Sequence, residues 1–207
     1  MDPNQETRRN PFGMDEACEN CDALQETRES VVHGYGDAGA DVLFVAERPT
    51  EGADETGVPF GGGDHVFYDL LDELGLVDGE SDEGPAVENA FVTHLTRCRH
   101  PDRPPTDEEV RNCDPFLNAE LRMINPEILV PVGDRVLAAL AAEHTTDPAD
   151  SFAVADDHAT TIRGRGFSLV PMLAPAEMND SERETFRSHF EELLSSDYRQ
   201  TKGRRGR

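Results

Sequence analysis

Four cysteines are the residues whose types and spacing most directly suggest chemistry, and the chain has no others. Cys18 and Cys21 form C-x2-C in "ACENC", while 14 residues separate Cys98 from Cys113 in "CRHPDRPPTDEEVRNC". Two thiolates one turn apart can grip one metal atom, and a second pair from elsewhere in the chain completes a four-sulfur set. Such a set suits zinc or an iron–sulfur cluster, and spacing alone leaves both open. The N-terminus "MDPNQETRRNPFGMDEAC" lacks the basic-then-apolar plan of a secretory signal. No apolar run approaches the roughly 18 residues a membrane span needs. The expectation is a soluble cytoplasmic protein with no membrane partner, in which reduced cysteines read as metal ligands sooner than as two disulfides.

The elements that must position these thiols follow from apolar patterning. Four short runs, "DVLFVAE" from Asp41, "AFVTHLT" from Ala90, "EILVPVG" from Glu127 and "FSLVPML" from Phe167, are nearly continuous in Val, Leu, Ile and Phe. That suits strands buried on both faces of a parallel sheet. Helical patterns lie between and after them. "HVFYDLLDELGL" follows the first run, "TDEEVRNCDPFLNAELRMI" precedes the third with Thr106 as N-cap, and "GDRVLAALAAE" follows the third. "DSERETFRSHFEELL" follows the fourth, with a capping-box start at Asp180 or Ser181. Alternating strands and helices predict an α/β fold, a three-layer α/β/α sandwich with a central four-stranded, mainly parallel sheet. "VDGESDEGPAVEN" and "EHTTDPADSF" read as polar loops, and residues 1–207 as one domain with a disordered basic tail from about residue 198. Cys98 ends a predicted strand and Cys113 lies in the next helix, so both can reach one end of the sheet. Cys18 and Cys21 lie in an N-terminal segment with little else to hold it.

The formal net charge is −24, with one lysine (Lys202) against 18 arginines. Acidic residues are dispersed between apolar segments, which is the pattern of a folded protein and not of a disordered one. We read this balance as adaptation to a salt-rich cytoplasm, a halophilic character, because at molar salt the Debye length is about 3 Å and self-repulsion is screened. The acidity then speaks of habitat more than of partners.

With the elements in place, the cysteine arrangement resembles that of the iron–sulfur uracil-DNA glycosylases called family four. The resemblance runs from about Cys18 to Leu194 through "VVHGYGDAGADVLFVAERP", "ETGVPFGGGDHVFYDLL", "FVTHLTRCRHPDRPPTDEEVRNCDPFL" and "INPEILVPVGDRVLAAL". It implies a DNA-repair hydrolase cleaving the N-glycosidic bond of uracil or another deaminated base, with DNA as partner; a monomer is expected. It also implies that Cys18, Cys21, Cys98 and Cys113 hold a 4Fe-4S cluster, zinc being the alternative. Such an enzyme must flip its base into a pocket, stack it, read its edge and stabilise charge on the leaving ring. On the resemblance, Phe60 of "GVPFGG" is the stacking ring, and Gly61 beside it lets backbone approach the base. Glu47 of "VAERP" stands at the family's acidic position, where it could orient the attacking water. Ala46, Arg48 and Thr50 depart from the motif around it. His94 of "FVTHLTRC" replaces the asparagine that reads the uracil edge, and one imidazole cannot copy a bidentate amide. Ala174 of "LAPAEM" replaces the motif histidine that donates to the uracil oxygen. His100, just after Cys98, carries no covalent role, because the insert that holds such a histidine in a related group is absent. Two further readings stand beside the enzyme: a catalytically degenerate iron–sulfur DNA-binding or repair-partner protein, and a zinc-stapled α/β protein with a small-molecule pocket.

Overall fold

The computed structural model describes residues 7–62 and 65–198, and the basic tail lies outside the described residues. In chain order the regular elements are α1 (Asp22–Gln25), β1 (Tyr35–Gly36), β2 (Val42–Ala46), α2 (Glu51–Thr56), α3 (His65–Glu73), β3 (Val77–Ser81), β4 (Gly84–Val87) and β5 (Ala90–His94). They continue with α4 (Asp107–Ile124), β6 (Ile128–Pro131), α5 (Asp134–His144), α6 (Val154–Asp157), β7 (Ile162–Arg163), β8 (Ser168–Leu169) and α7 (Asp180–Ser195).

All four apolar runs form neighbouring parallel strands, β5-β2-β6-β8, inside a sheet of order β1-β5-β2-β6-β8-β7. The sheet therefore has six strands and not the four expected. The additions, β1 and β7, are antiparallel edge strands of two residues each, too short to leave a period in the sequence. The stretch expected as a polar loop after Val77 is a separate antiparallel hairpin, β3–β4, whose exposed, Gly-containing residues carry no apolar alternation.

The sequence alternation along each buried strand builds two cores. Val42, Phe44 and Ala46 of β2, with Val92 and Val130, face a core closed by Phe67, Leu70 and Leu71 of α3 and Phe186 and Phe190 of α7. Leu43 and Val45, with Phe91 and Leu129, face the other core, closed by Leu117 and Ile124 of α4 and Val136 and Leu140 of α5. Helices thus cover both faces of a mostly parallel sheet, the three layers the patterning requires. Thr106 caps α4 as expected, with Glu109 completing a capping box. The cap of α7 is Asn179, one residue ahead of the expected start, because its side chain reaches the N–H groups of Ser181 and Glu182.

The N-terminal segment is held more firmly than expected. Asn10 N–H donates to Gly34 O at 3.0 Å, and the Asp54 carboxylate accepts from the N–H groups of Glu29 and Ser30. Leu24 of α1 is buried.

Candidate functional site

Parallel strands end together, and here their C-terminal ends gather the candidate residues at one edge. His94 is the last residue of β5 and pairs across to Ala46, the last of β2, so Glu47 follows directly beside it. Leu95 N–H donates to Ala46 O and Thr96 N–H to Glu47 O, extending the contact past the strand ends. Met172 bridges Val132 beyond β6, which brings Ala174 to the same edge, at the cap of a short 3-10 turn and against the core that contains Phe60. Ligand sites of open α/β sheets lie at this edge.

Phe60 sits in the loop between α2 and α3, with φ +55°, in the left-handed region that is strained for a bulky residue. Two devices hold it there. Tyr68 Oη donates to Pro59 O at 2.6 Å, and the first turn of α2 lies against the glycine loop. A Cβ on Gly52 would meet Gly61 O at 2.4 Å and Gly62 Cα at 2.7 Å, so only glycine permits that approach. The Phe60 ring stacks on Phe67, centroids 4.1 Å apart, and its centroid lies 6.1 Å from that of His94, the planes at 30°. It is 7 % exposed, so the core and site readings both describe it.

His94 is fully buried, and neither ring nitrogen has a hydrogen-bond partner among the described residues. Burial, with Arg97 as the lesser cause, lowers its pKa from 6.5 to about 3, so the ring is neutral at any ordinary pH. A buried polar group without a partner costs free energy. This one lies beside an aromatic ring at the edge where open α/β sheets take their ligands.

The Glu47 carboxylate is engaged. Arg135, in the first turn of α5, pairs with it at 3.0 Å, with Asp107 at 2.8 Å, and donates to Pro105 O. Arg48, a departure from the motif, donates to His100 O and Arg103 O and so fixes the turn after Cys98. His100 accepts from Asp102 N–H within that turn.

Behind His94 lies an ion pair that sequence reasoning missed. Arg97 and Glu120 are each about 1 % exposed and meet at 2.6 Å. Glu120 also accepts from Thr93 Oγ1 at 2.6 Å and from Gly34 N–H at 3.1 Å. Arg97 donates to His94 O at 2.9 Å and to Thr93 Oγ1. A signal existed: Glu120 sits in the buried stripe of α4 with Cys113, Leu117 and Ile124, where a carboxylate demands a partner.

The structure brings the four cysteines together as free thiols. Cys18 and Cys98 share a small apolar cluster with Leu24 and Val31, and Cys21 and Phe116 pack against it. Cys18 and Cys21 lie close enough to Cys98, and Cys98 and Cys21 to Cys113, for a thiolate at one to be felt at the other. Burial raises Cys98 and lifts Cys113 to about 11, so a metal would have to drive their deprotonation. N–H groups reach three of the sulfurs: Arg28 Nη1 donates to Cys98 Sγ at 3.3 Å, Asn112 Nδ2 to Cys21 Sγ at 3.4 Å and Arg97 N to Cys113 Sγ at 3.5 Å. Four sulfurs, N–H donors and two nearby arginines fit the chemistry of an anionic thiolate cluster. Among the described residues no three His, Cys or acidic groups are placed to hold a metal ion as they stand.

A family model, described as the uracil DNA glycosylase superfamily, matches residues 33–196. The Type-4 uracil-DNA glycosylase of Saccharolobus solfataricus is 31 % identical over 118 residues, 56 % of this chain and 50 % of that protein. That of Thermotoga maritima is 33 % identical over 129 residues, 60 % of this chain and 62 % of the relative. The Type-5 uracil-DNA glycosylase of Thermus thermophilus is 33 % identical over 150 residues, covering 61 % and 68 %. The chain thus matches about half to three fifths of the length of the two Type-4 relatives.

Proposed function

The chain belongs to the uracil DNA glycosylase superfamily, and from that premise we propose that it is a DNA-repair hydrolase. It cleaves the N-glycosidic bond of uracil or another deaminated base in DNA. The observation that carries this reading is His94: a buried, neutral imidazole with both nitrogens unsatisfied, beside Phe60 at the C-terminal edge of the sheet. The flipped base enters at this edge of the sheet. Phe60 stacks on it, and the backbone at Gly61 approaches its edge. His94 donates one N–H to the exocyclic oxygen on which charge builds as the bond breaks. Glu47, held in place by Arg135, orients the water that adds to the sugar. Because the neutral ring can carry its proton on either nitrogen, edge reading is less strict than an asparagine would impose. Hypoxanthine and xanthine therefore join uracil as substrates to test.

Cys18, Cys21, Cys98 and Cys113 would hold a 4Fe-4S cluster, supported by the all-sulfur donor set and the N–H groups aimed at it. Bound there, the cluster would serve as a structural staple joining the N-terminal segment to β5 and α4. The partner is DNA carrying a damaged base, and the protein acts as a monomer in the cytoplasm.

The degenerate, DNA-binding reading has its own observation. Phe60 is stacked into the core, and Ala174 supplies no donor. A base-release assay on single- and double-stranded oligonucleotides carrying uracil, hypoxanthine or xanthine, at molar salt, separates the two. Release of any of these bases supports the enzyme. DNA binding without release from any of them moves the assignment to the binding protein.

A further inference from the structure

Arg97 touches both halves of the site. Its backbone N–H donates to Cys113 Sγ at 3.5 Å, and its neighbour in the chain is Cys98. Its carbonyl accepts from Val32 N–H at 2.8 Å, which ties it to the segment following Cys18 and Cys21. Its guanidinium donates to His94 O at 2.9 Å and to Thr93 Oγ1, at the end of β5. Glu120 holds that guanidinium at 2.6 Å and reaches from α4, the helix that also carries Cys113. The guanidinium is almost wholly shielded from water and confined by oxygens of three residues. It can therefore shift only together with the strand end and the helix.

We propose that Arg97, clamped by Glu120, is a positioning residue that couples the thiol centre to the pocket, so that the state of the four cysteines sets the pose of His94. The role of the pocket in reading a base rests on the glycosylase reading, but the coupling does not. When the thiols are drawn around a metal centre, Cys98 and Cys113 fix Arg97 from its two sides. The strand end carrying Thr93 and His94 is then fixed through the guanidinium. When the centre is lost, the constraint on His94 loosens.

The experiment follows the imidazole 15N–1H signals of His94, assigned by their absence in His94→Gln, in metal-loaded and chelator-stripped protein. In the wild type, stripping should move the His94 signals. In the double variant Arg97→Met/Glu120→Leu, which replaces the pair with apolar side chains of similar bulk, stripping should leave them in place. Glu120→Gln keeps an acceptor for Gly34 N–H but removes the charge. It is the second variant should the double one not fold, and its response should be smaller than the wild type's. The visible absorption of the loaded variants should also change, because the Arg97 N–H to Cys113 bond moves. Where base release is measurable, kcat should fall about tenfold or more with KM nearly unchanged, the signature of misplacement and not of lost binding. His94 signals indifferent to stripping in the wild type, or moving equally in the variants, overturn the coupling. A wild type that releases no base overturns the glycosylase reading alone, since the spectra judge the coupling without it.

Discussion

At residue scale Phe60 and Ala174 test the proposed site by mutation. Phe60→Leu keeps most of the volume against Phe67 but removes the flat face. Base binding should weaken by roughly 1–3 kcal/mol, read as a higher KM, while the melting temperature changes little. A large drop in stability with unaltered KM would make Phe60 a core residue only. Ala174→His restores a donor at the edge where Ala174 packs near the Phe60 core, and should raise uracil release by up to about 10²–10³-fold. Slower release would mean that His94 alone fills the donor's role and that the added ring crowds the base. His94 and His33 are both buried, and burial lowers them to about 3 and about 4. The unfolded chain takes up protons on both below pH 6.5 while the folded chain does not, so stability is complete above 6.5 and is lost as pH falls toward those values. Going from pH 7.5 to 5.5 should cost about 1.4 kcal/mol for each histidine in urea unfolding. His94→Gln should remove its share of that loss. The positions of these residues were legible through motif resemblance, whereas their partners were not. Glu47 meets Arg135, and His94 is backed by Arg97 and Glu120, through pairings distant in sequence. Charged residues such as Arg135 look like solvated surface until the fold closes.

At element scale, the strands that position the site were readable because burial on both faces leaves continuous apolar runs, as in β2 and β5. The edge strands and the β3–β4 hairpin were not, since two-residue pairings and an exposed polar ribbon depend on neighbours and not on composition. The same holds for the seating of the Phe60 loop on α2, which depends on Gly52 and Gly62 meeting backbone to backbone. Gly52→Ala tests that seating. Inside a helix the exchange alone should stabilise by roughly 0.5–1 kcal/mol, but the new Cβ would sit 2.4 Å from Gly61 O. The loop must therefore shift. Base release should fall by about tenfold or more through displacement of Phe60, with a net loss of stability in thermal melts. A stabilised variant with unchanged release would show that the loop tolerates the displacement.

At the scale of the whole molecule the governing quantity is the charge of −24. Arginines meet some of it locally, as Arg183 does with Glu73 and Arg187 with Glu184 and Glu191, but exposed pairs of this kind contribute about 0–1 kcal/mol each. Acidic residues still outnumber basic ones, 43 to 19. Raising salt from about 0.1 to about 1 M shortens the Debye length from about 10 to about 3 Å. That weakens repulsion among many acidic groups and attraction in a few pairs, so the balance favours the folded state. If the acidity is salt adaptation, the melting temperature should rise by about 5 °C or more over that interval, since about 1 kcal/mol moves a domain of this size by roughly 2–4 °C. The same salt screens phosphate attraction steeply. Affinity for damaged DNA that persists at molar salt must then come from stacking and hydrogen bonding at the sheet edge, and Phe60→Leu should weaken it most there. A melting temperature that is flat or falls with salt would refute the adaptation.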